Sequence, residues 1–258
     1  MSSLKTRTRK NKDDELNKVV YTPTRPQYDI ITATSKVNLF LAGQGSGKTE
    51  CAGIISGRLI SINPNIHGFI GANTYTQLSD STLFRIRQVW KEIFKWTEWS
   101  KYNRNGDYVV DIIPPAHFNT LGHNYDTYHG KICFKSGTVV YKGSLDNYKA
   151  HDGKEFAWAL LDETKDTKEI AVKEVILGRL REKGLWVKDG VVYTDWNKAK
   201  KAKAKPWNPL FIFTSPAKVP WINEWFNMEN YIKEIKEKIY SETEYFKKDF
   251  GNKSIVIS

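Results

Sequence analysis

The sequence predicts an α/β fold in which helices flank a mainly parallel central sheet. Three largely apolar segments, at residues 37–41, 156–161 and 210–213, have the length of buried strands, and each is followed by polar or small residues. Runs of consecutive apolar residues are typical of parallel strands, because helices cover both faces of such sheets. A chain of 258 residues is long enough to bury a sizeable core in one large domain of this kind.

A glycine-rich loop follows the first apolar segment. Residues 42–49 are Ala-Gly-Gln-Gly-Ser-Gly-Lys-Thr, and an amphipathic helix is predicted at 51–62. Glycine accepts positive φ, so the loop can turn its backbone N–H groups inward and wrap an anion. Lys48, expected in a solvent-facing cradle, would reach the β- and γ-phosphates, and the Thr49 hydroxyl would hold Mg²⁺. The predicted nucleotide-binding residues are Gly43, Gln44, Gly45, Ser46, Gly47, Lys48 and Thr49, although Ala42 stands where the usual pattern has glycine.

Two acids follow the second apolar segment. Six apolar residues at 156–161 are followed by Asp162 and Glu163. Asp162 would bind Mg²⁺ through water, and Glu163 would polarise the water that attacks the γ-phosphate. An acid pair after a strand is also a common signal for the start of a helix. Together with the glycine-rich loop, the pair favours an ATPase that uses ATP and Mg²⁺.

The third apolar segment ends in Thr214-Ser215-Pro216. In ATPases with a catalytic glutamate after the acidic strand, a further strand lies between that strand and the one before the glycine-rich loop. Thr214 and Ser215 would then touch the γ-phosphate and couple hydrolysis to motion; an ordinary strand followed by a turn is the alternative. The sequence thus predicts a P-loop NTPase of the additional-strand, catalytic-glutamate type.

These segments, in their order and spacing, resemble the ATPase domain of the large terminase subunit, the motor that packages DNA into tailed-phage capsids. The resemblance covers most of residues 21–216 and includes Pro26-Gln27 and a hairpin-like pair at 132–144. It implies that Gln27 contacts adenine and that the partners are double-stranded DNA, a portal protein and a small terminase subunit. It also implies a homo-oligomeric ring, assembled transiently on a procapsid in the host cytoplasm.

Two departures from the terminase pattern concern arginines. Many terminases have arginine where this chain has Gln44, and Arg-Gly where it has Asp152-Gly153. Arg179 and Arg181, on a helix predicted at 168–183, match the Arg-Leu-Arg often found in the family. One of them would reach a neighbouring subunit's γ-phosphate as an arginine finger. The alternative is a solvated helix face.

The charge of the chain favours a polyanionic partner. Lys and Arg number 40 against 29 Asp and Glu, which gives a formal net charge of +11. A dense run that would contact DNA phosphates without recognising sequence comprises Lys198, Lys200, Lys201, Lys203 and Lys205. A solvated loop is the alternative for this run. The two cysteines suggest neither a disulfide framework nor a zinc site, and no apolar run reaches the length of a membrane span.

The expected organisation is a flexible basic arm at 1–20 and one ATPase domain at 21–258. Short helices are predicted at 27–34 and 231–240, a strand at 68–72, and a long amphipathic helix at 80–95. Residues 254–258 look like a strand that stops as it starts, which suggests a fragment or one product of a split gene. Nuclease activity is not expected from this chain. The alternatives are a helicase-type ATPase, which needs a second motor domain, and a non-catalytic nucleotide-dependent DNA-binding module, which does not need Glu163.

Overall fold

A seven-stranded sheet forms the centre of the computed structural model, which describes residues 21–120, 125–216, 219–230 and 233. Its strands are β1 (Val37–Leu41), β2 (His67–Ala72), β3 (Tyr108–Val110), β4 (Lys131–Phe134), β5 (Val139–Ser144), β6 (Trp158–Asp162) and, late in the chain, β10 (Leu210–Thr214). The order across the sheet is β1-β10-β6-β2-β5-β4-β3. The pairings from β1 through β5 are parallel, whereas β4 and β3 add to the edge antiparallel. β10 therefore lies between β1 and β6, the position expected for the third apolar segment.

Helices cover both faces of this sheet. They are α1 (Arg25–Thr32), α2 (Lys48–Ile62), α3 (residues 75–94), α4 (residues 169–179), α5 (Trp196–Ala202) and α6 (Pro220–Trp225). On one face, α2 and α3 cover a core that contains Trp90, Trp158 and Phe211. On the other face, α4 and α6 cover a core that contains Val172 and Ile212. Because both faces are covered, β6 and β10 are buried along their whole length, as their apolar sequences predict.

The predicted elements before residue 145 agree with the structure within a few residues. The hairpin predicted at 132–144 is formed by β4 and β5. The strand predicted at 68–72 begins one residue earlier, and α1 covers 25–32 instead of 27–34. The helix predicted at 80–95 is longer, because α3 already begins at Tyr75. The predicted arm at 1–20, the helix at 231–240 apart from residue 233, and the strand at 254–258 lie outside the described residues.

One predicted helix ends early. The helix expected over residues 168–183 stops at Arg179, so the prediction was wrong for its last turn. The backbone turns away there because Leu180 forms a β-bridge with Phe156, whose N–H donates to the Arg179 carbonyl at 2.9 Å. Arg181 therefore lies beyond the helix, next to the amino end of β6.

A small unit that the sequence did not predict occupies residues 186–206. It consists of α5 and a three-stranded antiparallel sheet, β8-β7-β9, whose strands are β7 (Trp186–Lys188), β8 (Val191–Tyr193) and β9 (Lys205–Pro206). The Asp195 carboxylate caps α5 by accepting from the Lys198 N–H at 2.8 Å. We call residues 186–206 the basic unit. It leads directly into β10 and so lies at the amino end of the parallel strands.

Candidate nucleotide-binding and hydrolysis site

The glycine-rich loop connects β1 to α2 at the carboxyl end of the sheet. Gly45 and Gly47 have φ of 76° and 82°, the left-handed region that glycine enters without steric cost. Gly47 also allows a close approach, because a Cβ there would lie 2.5 Å from Gln27 Nε2. Gly43 contributes its carbonyl, which accepts from the Ser46 hydroxyl at 2.8 Å. Gln44 is exposed at the tip of the loop.

Lys48 begins α2 and points back into the loop. Its Nζ donates to the carbonyls of Ala42 and Gly43, both at 2.9 Å, and lies 3.8 Å from Glu163 Oε1. The side chain is only 7% exposed, so the expectation of a solvent-facing lysine was wrong. The physical reason is that loop carbonyls and an acid surround the ammonium and satisfy its donors.

Asp162, the last residue of β6, is held by three hydrogen bonds. Its Oδ2 accepts from Thr49 Oγ1 at 3.1 Å and from Thr82 Oγ1 at 2.8 Å, while Oδ1 accepts from the Glu163 N–H at 3.1 Å. Burial raises the pKa of this carboxyl group, and the two hydroxyl donors act in the opposite direction.

A magnesium ion fits the donor set formed by Thr49 and Asp162. Both side chains offer oxygen atoms, and Mg²⁺ in nucleotide sites takes one or two such protein ligands beside phosphate oxygens and water. The described residues hold no group of three His, Cys, Asp or Glu that could bind a metal by themselves. The two predicted metal-binding residues thus form a site that a bound phosphate would have to complete.

Glu163 adopts a conformation that is uncommon for a residue with a side chain. Its φ of 48° and ψ of 52° lie in the left-handed region. The Ser215 hydroxyl donates to the carboxylate, with distances of 3.0 and 3.3 Å to the two oxygens. The Glu163 side chain is 25% exposed, so water can reach it. Backbone strain of this kind is often found at functional sites.

The carboxyl end of β10 contacts both the glycine-rich loop and Glu163. Ala42 N–H, at the start of the loop, donates to the Thr214 carbonyl at 3.1 Å, and the next residue, Ser215, bonds Glu163. The Thr214 hydroxyl is fully buried and has no hydrogen-bond partner among the described residues. Burying a hydroxyl group without a hydrogen-bond partner costs free energy, which makes Thr214 a candidate for a functional contact at this site.

Gln27 lies against the glycine-rich loop, with its amide used at both ends. Nε2 donates to the Ser46 carbonyl at 3.0 Å, while Oε1 accepts from the Thr24 N–H at 2.9 Å and the Tyr21 hydroxyl at 3.3 Å. The residue is 2% exposed. Because the amide is buried, the predicted contact with adenine requires Gln27 or its neighbours to move, and in this structure Gln27 supports the loop.

Sequence reasoning missed Thr82. Its hydroxyl contacts Asp162 although 80 residues separate the two in the chain. A signal was present, because Thr82 falls four residues after Leu78 and four before Ile86, on the apolar side of the predicted helix. A hydroxyl in the middle of an apolar stripe indicates a buried hydrogen bond.

Arg179 and Arg181 lie away from the glycine-rich loop of their own chain. Both sit beside Phe156, at the amino end of β6, whereas Asp162 and the loop are at the carboxyl end. Arg179 Nη2 pairs with Asp152 at 2.9 Å, and Arg181 Nε pairs with Glu155 at 2.9 Å. A finger role for either residue remains a prediction, and it would require the phosphate of a neighbouring subunit.

The predicted DNA-binding lysines all belong to the basic unit. Within the described part of the chain, none of the five forms an ion pair with a carboxylate. The alternative, a solvated loop, was wrong about the secondary structure, because these residues lie on α5, in the turn after it and in β9. All five side chains are exposed: Lys198, Lys200, Lys201, Lys203 and Lys205.

Comparison with solved structures gives large terminase ATPase domains. The ATPase domain of the large terminase from Thermus phage P74-26 aligns with a TM-score of 0.48 and 20% identity, covering 80% of this chain and 70% of that one. A substituted form of the same domain aligns with a TM-score of 0.46, also at 20% identity and with the same coverage of 80% and 70%. The large terminase of a second phage, a thermophilic bacteriophage, aligns with a TM-score of 0.48 and 13% identity, covering 92% of this chain and 45% of that one.

These likenesses agree with the resemblance seen in the sequence motifs, but with TM-scores below 0.5 they assign neither a family nor an activity to the chain. No protein-family model matches it. The curated proteins likewise give no match. Among the described residues, no helix is long and apolar enough to cross a membrane.

Proposed function

We propose that this chain hydrolyses ATP and that hydrolysis drives translocation of double-stranded viral DNA into a procapsid, as the ATPase part of a large terminase subunit. One observation carries the proposal that the chain hydrolyses ATP. Lys48, Asp162 and Glu163 converge at one end of the sheet, next to a loop in which Gly45 and Gly47 have the positive φ that phosphate binding needs. The position of β10 between β1 and β6 supports the additional-strand, catalytic-glutamate type.

The chain's own residues divide the reaction between them. Lys48 would exchange its bonds to the Ala42 and Gly43 carbonyls for phosphate oxygens, where its charge stabilises the transition state. A bound Mg²⁺ would supply positive charge against the negative charge that develops on the transferred phosphate. Thr49 and Asp162 are the residues that would hold it.

Glu163 would orient the attacking water and accept its proton. Its carboxylate accepts from the Ser215 hydroxyl, and this contact restrains the glutamate side chain. Moving Glu163 toward water would break that bond and release the tip of β10. Ser215 and the Thr214 hydroxyl, which has no hydrogen-bond partner in the described part of the chain, are therefore suited to couple hydrolysis to motion, as proposed for these two positions from the sequence.

DNA as the polymer that the motor moves is supported by charge and by the motif pattern. The chain carries a formal net charge of +11, and the basic unit presents five lysines without carboxylate partners in the described residues. Such a surface binds phosphates in a salt-dependent, sequence-independent manner, as a packaging motor requires. A portal protein, a small terminase subunit and a homo-oligomeric ring belong to the same proposal.

A paired assay tests this function. ATP turnover would be measured with and without blunt duplex DNA, and strand separation would be measured on a forked duplex under the same conditions. We expect Mg²⁺-dependent turnover that duplex DNA stimulates, without strand separation. Separated strands would favour the helicase-type alternative, and an absence of turnover under all conditions, including at high protein concentration, would favour a non-catalytic binding module.

A further inference from the structure

The Thr82 hydroxyl is a direct neighbour of the acid that is predicted to support magnesium. Its Oγ1 donates to Asp162 Oδ2 at 2.8 Å, the shortest of the three bonds that the carboxylate accepts from Thr82, Thr49 and the Glu163 N–H. Thr82 is 1% exposed and Asp162 is 4% exposed. The bond is therefore shielded from water, which would otherwise compete for both groups.

The local helix geometry is unusual where this bond forms. Thr82 belongs to Leu78–Leu83, a π-helical segment of α3 in which Leu78 and Leu83 are buried in the core around it. π-Helical turns are rare and often occur at functional sites. The flanking leucines anchor this segment against the sheet, so the hydroxyl has a fixed position relative to β6.

The two hydroxyl groups that donate to Asp162 differ in whether the proposed function also assigns them to the metal. Thr49 lies in the first turn of α2 beside the glycine-rich loop, and in the proposed function its oxygen also binds Mg²⁺. Thr82 comes from α3 and is buried, and the proposed function does not assign its hydroxyl to the metal. When nucleotide binds, Thr82 can keep its bond to Oδ2 while Thr49 adjusts to the metal.

We propose that Thr82 is a positioning residue for Asp162 and that its hydroxyl holds the carboxylate in the orientation that supports the magnesium–nucleotide complex. This role rests on the proposed function of the same site. Removing a group that orients a metal-supporting carboxylate typically weakens metal affinity about 10- to 100-fold. Thr82 should therefore affect the metal-dependent part of nucleotide binding and leave the metal-independent part unchanged.

The test compares nucleotide affinity with and without the metal. A fluorescent ATP analogue would be titrated into the full chain in Mg²⁺ and separately in EDTA, and Mn²⁺ affinity would be measured with ADP present. For Thr82→Val, we expect about a 10-fold or larger loss of affinity in Mg²⁺, a similar loss for Mn²⁺, and unchanged affinity in EDTA. Thr82→Ser retains the hydroxyl and should restore wild-type values.

A buried threonine at the other end of the sheet provides the matched control. Thr138 is 0% exposed, and its hydroxyl donates to the Pro64 carbonyl at 2.7 Å. Thr138→Val should lower thermal stability as Thr82→Val does, without changing the difference between Mg²⁺ and EDTA. If Thr82→Val does not fold, as judged by circular dichroism, Thr82→Ala against Thr82→Ser gives the same comparison.

The outcomes separate this role from the proposed function. Wild-type metal dependence in a folded Thr82→Val or Thr82→Ala chain would overturn the role of Thr82 alone. Equal loss in Mg²⁺ and in EDTA, matched by Thr138→Val, would also overturn it, because the effect would then be one of stability. A wild-type chain that binds the analogue identically in Mg²⁺ and EDTA would contradict the proposed function and, with it, this role.

Discussion

The two ends of the central sheet hold their charged side chains in different ways. At the carboxyl end, Lys48 and Asp162 are buried, and protein partners surround them and Glu163. At the amino end, the lysines of the basic unit are exposed and have no carboxylate partner in the described residues. Buried groups act through fixed contacts with one partner, whereas exposed charges act through the electrostatic potential that they create together. Single substitutions should therefore have large effects at the first end, whereas substitutions of single exposed lysines at the second end should have small ones.

Arg179 and Arg181 give the strongest test of this comparison, since they lie at the amino end but are predicted to serve a neighbour's carboxyl end. Activity per chain should rise with assembly, and Arg179→Ala or Arg181→Ala should remove that gain. An arginine finger supplies about 10³- to 10⁵-fold in other nucleotide hydrolases. Turnover would be measured against protein concentration, and ATP affinity should stay nearly unchanged. Arg104→Ala, an exposed arginine elsewhere, is the control.

Mixed subunits decide whether the arginine acts across an interface. Combining the inactive arginine variant with Glu163→Gln chains should recover part of the activity, because each subunit then supplies what the other lacks. Full activity in dilute wild-type monomers, together with no recovery in the mixture, would show that hydrolysis is complete within one chain.

Glu163→Gln should lower turnover about 10²- to 10⁴-fold while ATP still binds, because the amide keeps the shape and loses the basic oxygen. Single-turnover hydrolysis and equilibrium ATP binding would be measured on the same preparation. Glu174→Gln, which changes an exposed acid on α4, should behave like the wild type. Normal turnover of Glu163→Gln would transfer the catalytic role elsewhere, with Asp162 as the next candidate.

Lys48→Ala should lower turnover or ATP affinity about 10²- to 10³-fold, as expected for the loss of one fixed electrostatic donor. Because Lys48 is buried and bonds two loop carbonyls, the melting temperature should be measured beside the ATPase rate. Lys142→Met is the matched control, since Lys142 is also a buried, ion-paired lysine. Equal activity losses in the two variants would assign the effect to stability and contradict the phosphate role.

The exposed lysines should give the smallest effect per residue. Replacing Lys200 and Lys201 together by glutamine should make the slope of log affinity for duplex DNA against log salt less steep by about 1.8, or about 0.9 for each lysine that no longer neutralises a phosphate. ATP turnover without DNA should not change. The same double replacement at Lys91 and Lys101 should leave the slope unaltered. Equal slopes for both variants would place the DNA elsewhere on the molecule.

Local requirements explain why the sequence predicted much of the carboxyl end. Positive φ at Gly45 and Gly47 and the burial of β6 and β10 follow from short stretches of residue types. The basic unit was not predicted, because its strands have two or three residues each and their pairings join separate segments. The early end of α4 was missed for a related reason, since a bridge to Phe156 overrides helix propensity at Leu180.

The sequence by itself determined the chemistry of the site: a glycine-rich turn followed by Lys48 and Thr49, and an apolar strand followed by two acids. Only the tertiary structure decided which side chains meet there. Thr49 and Asp162 are 113 residues apart, Thr82 and Asp162 are 80 apart, and Ser215 and Glu163 are 52 apart. Loop geometry is encoded locally, whereas contacts between distant residues depend on how the strands are ordered and how the helices pack on them.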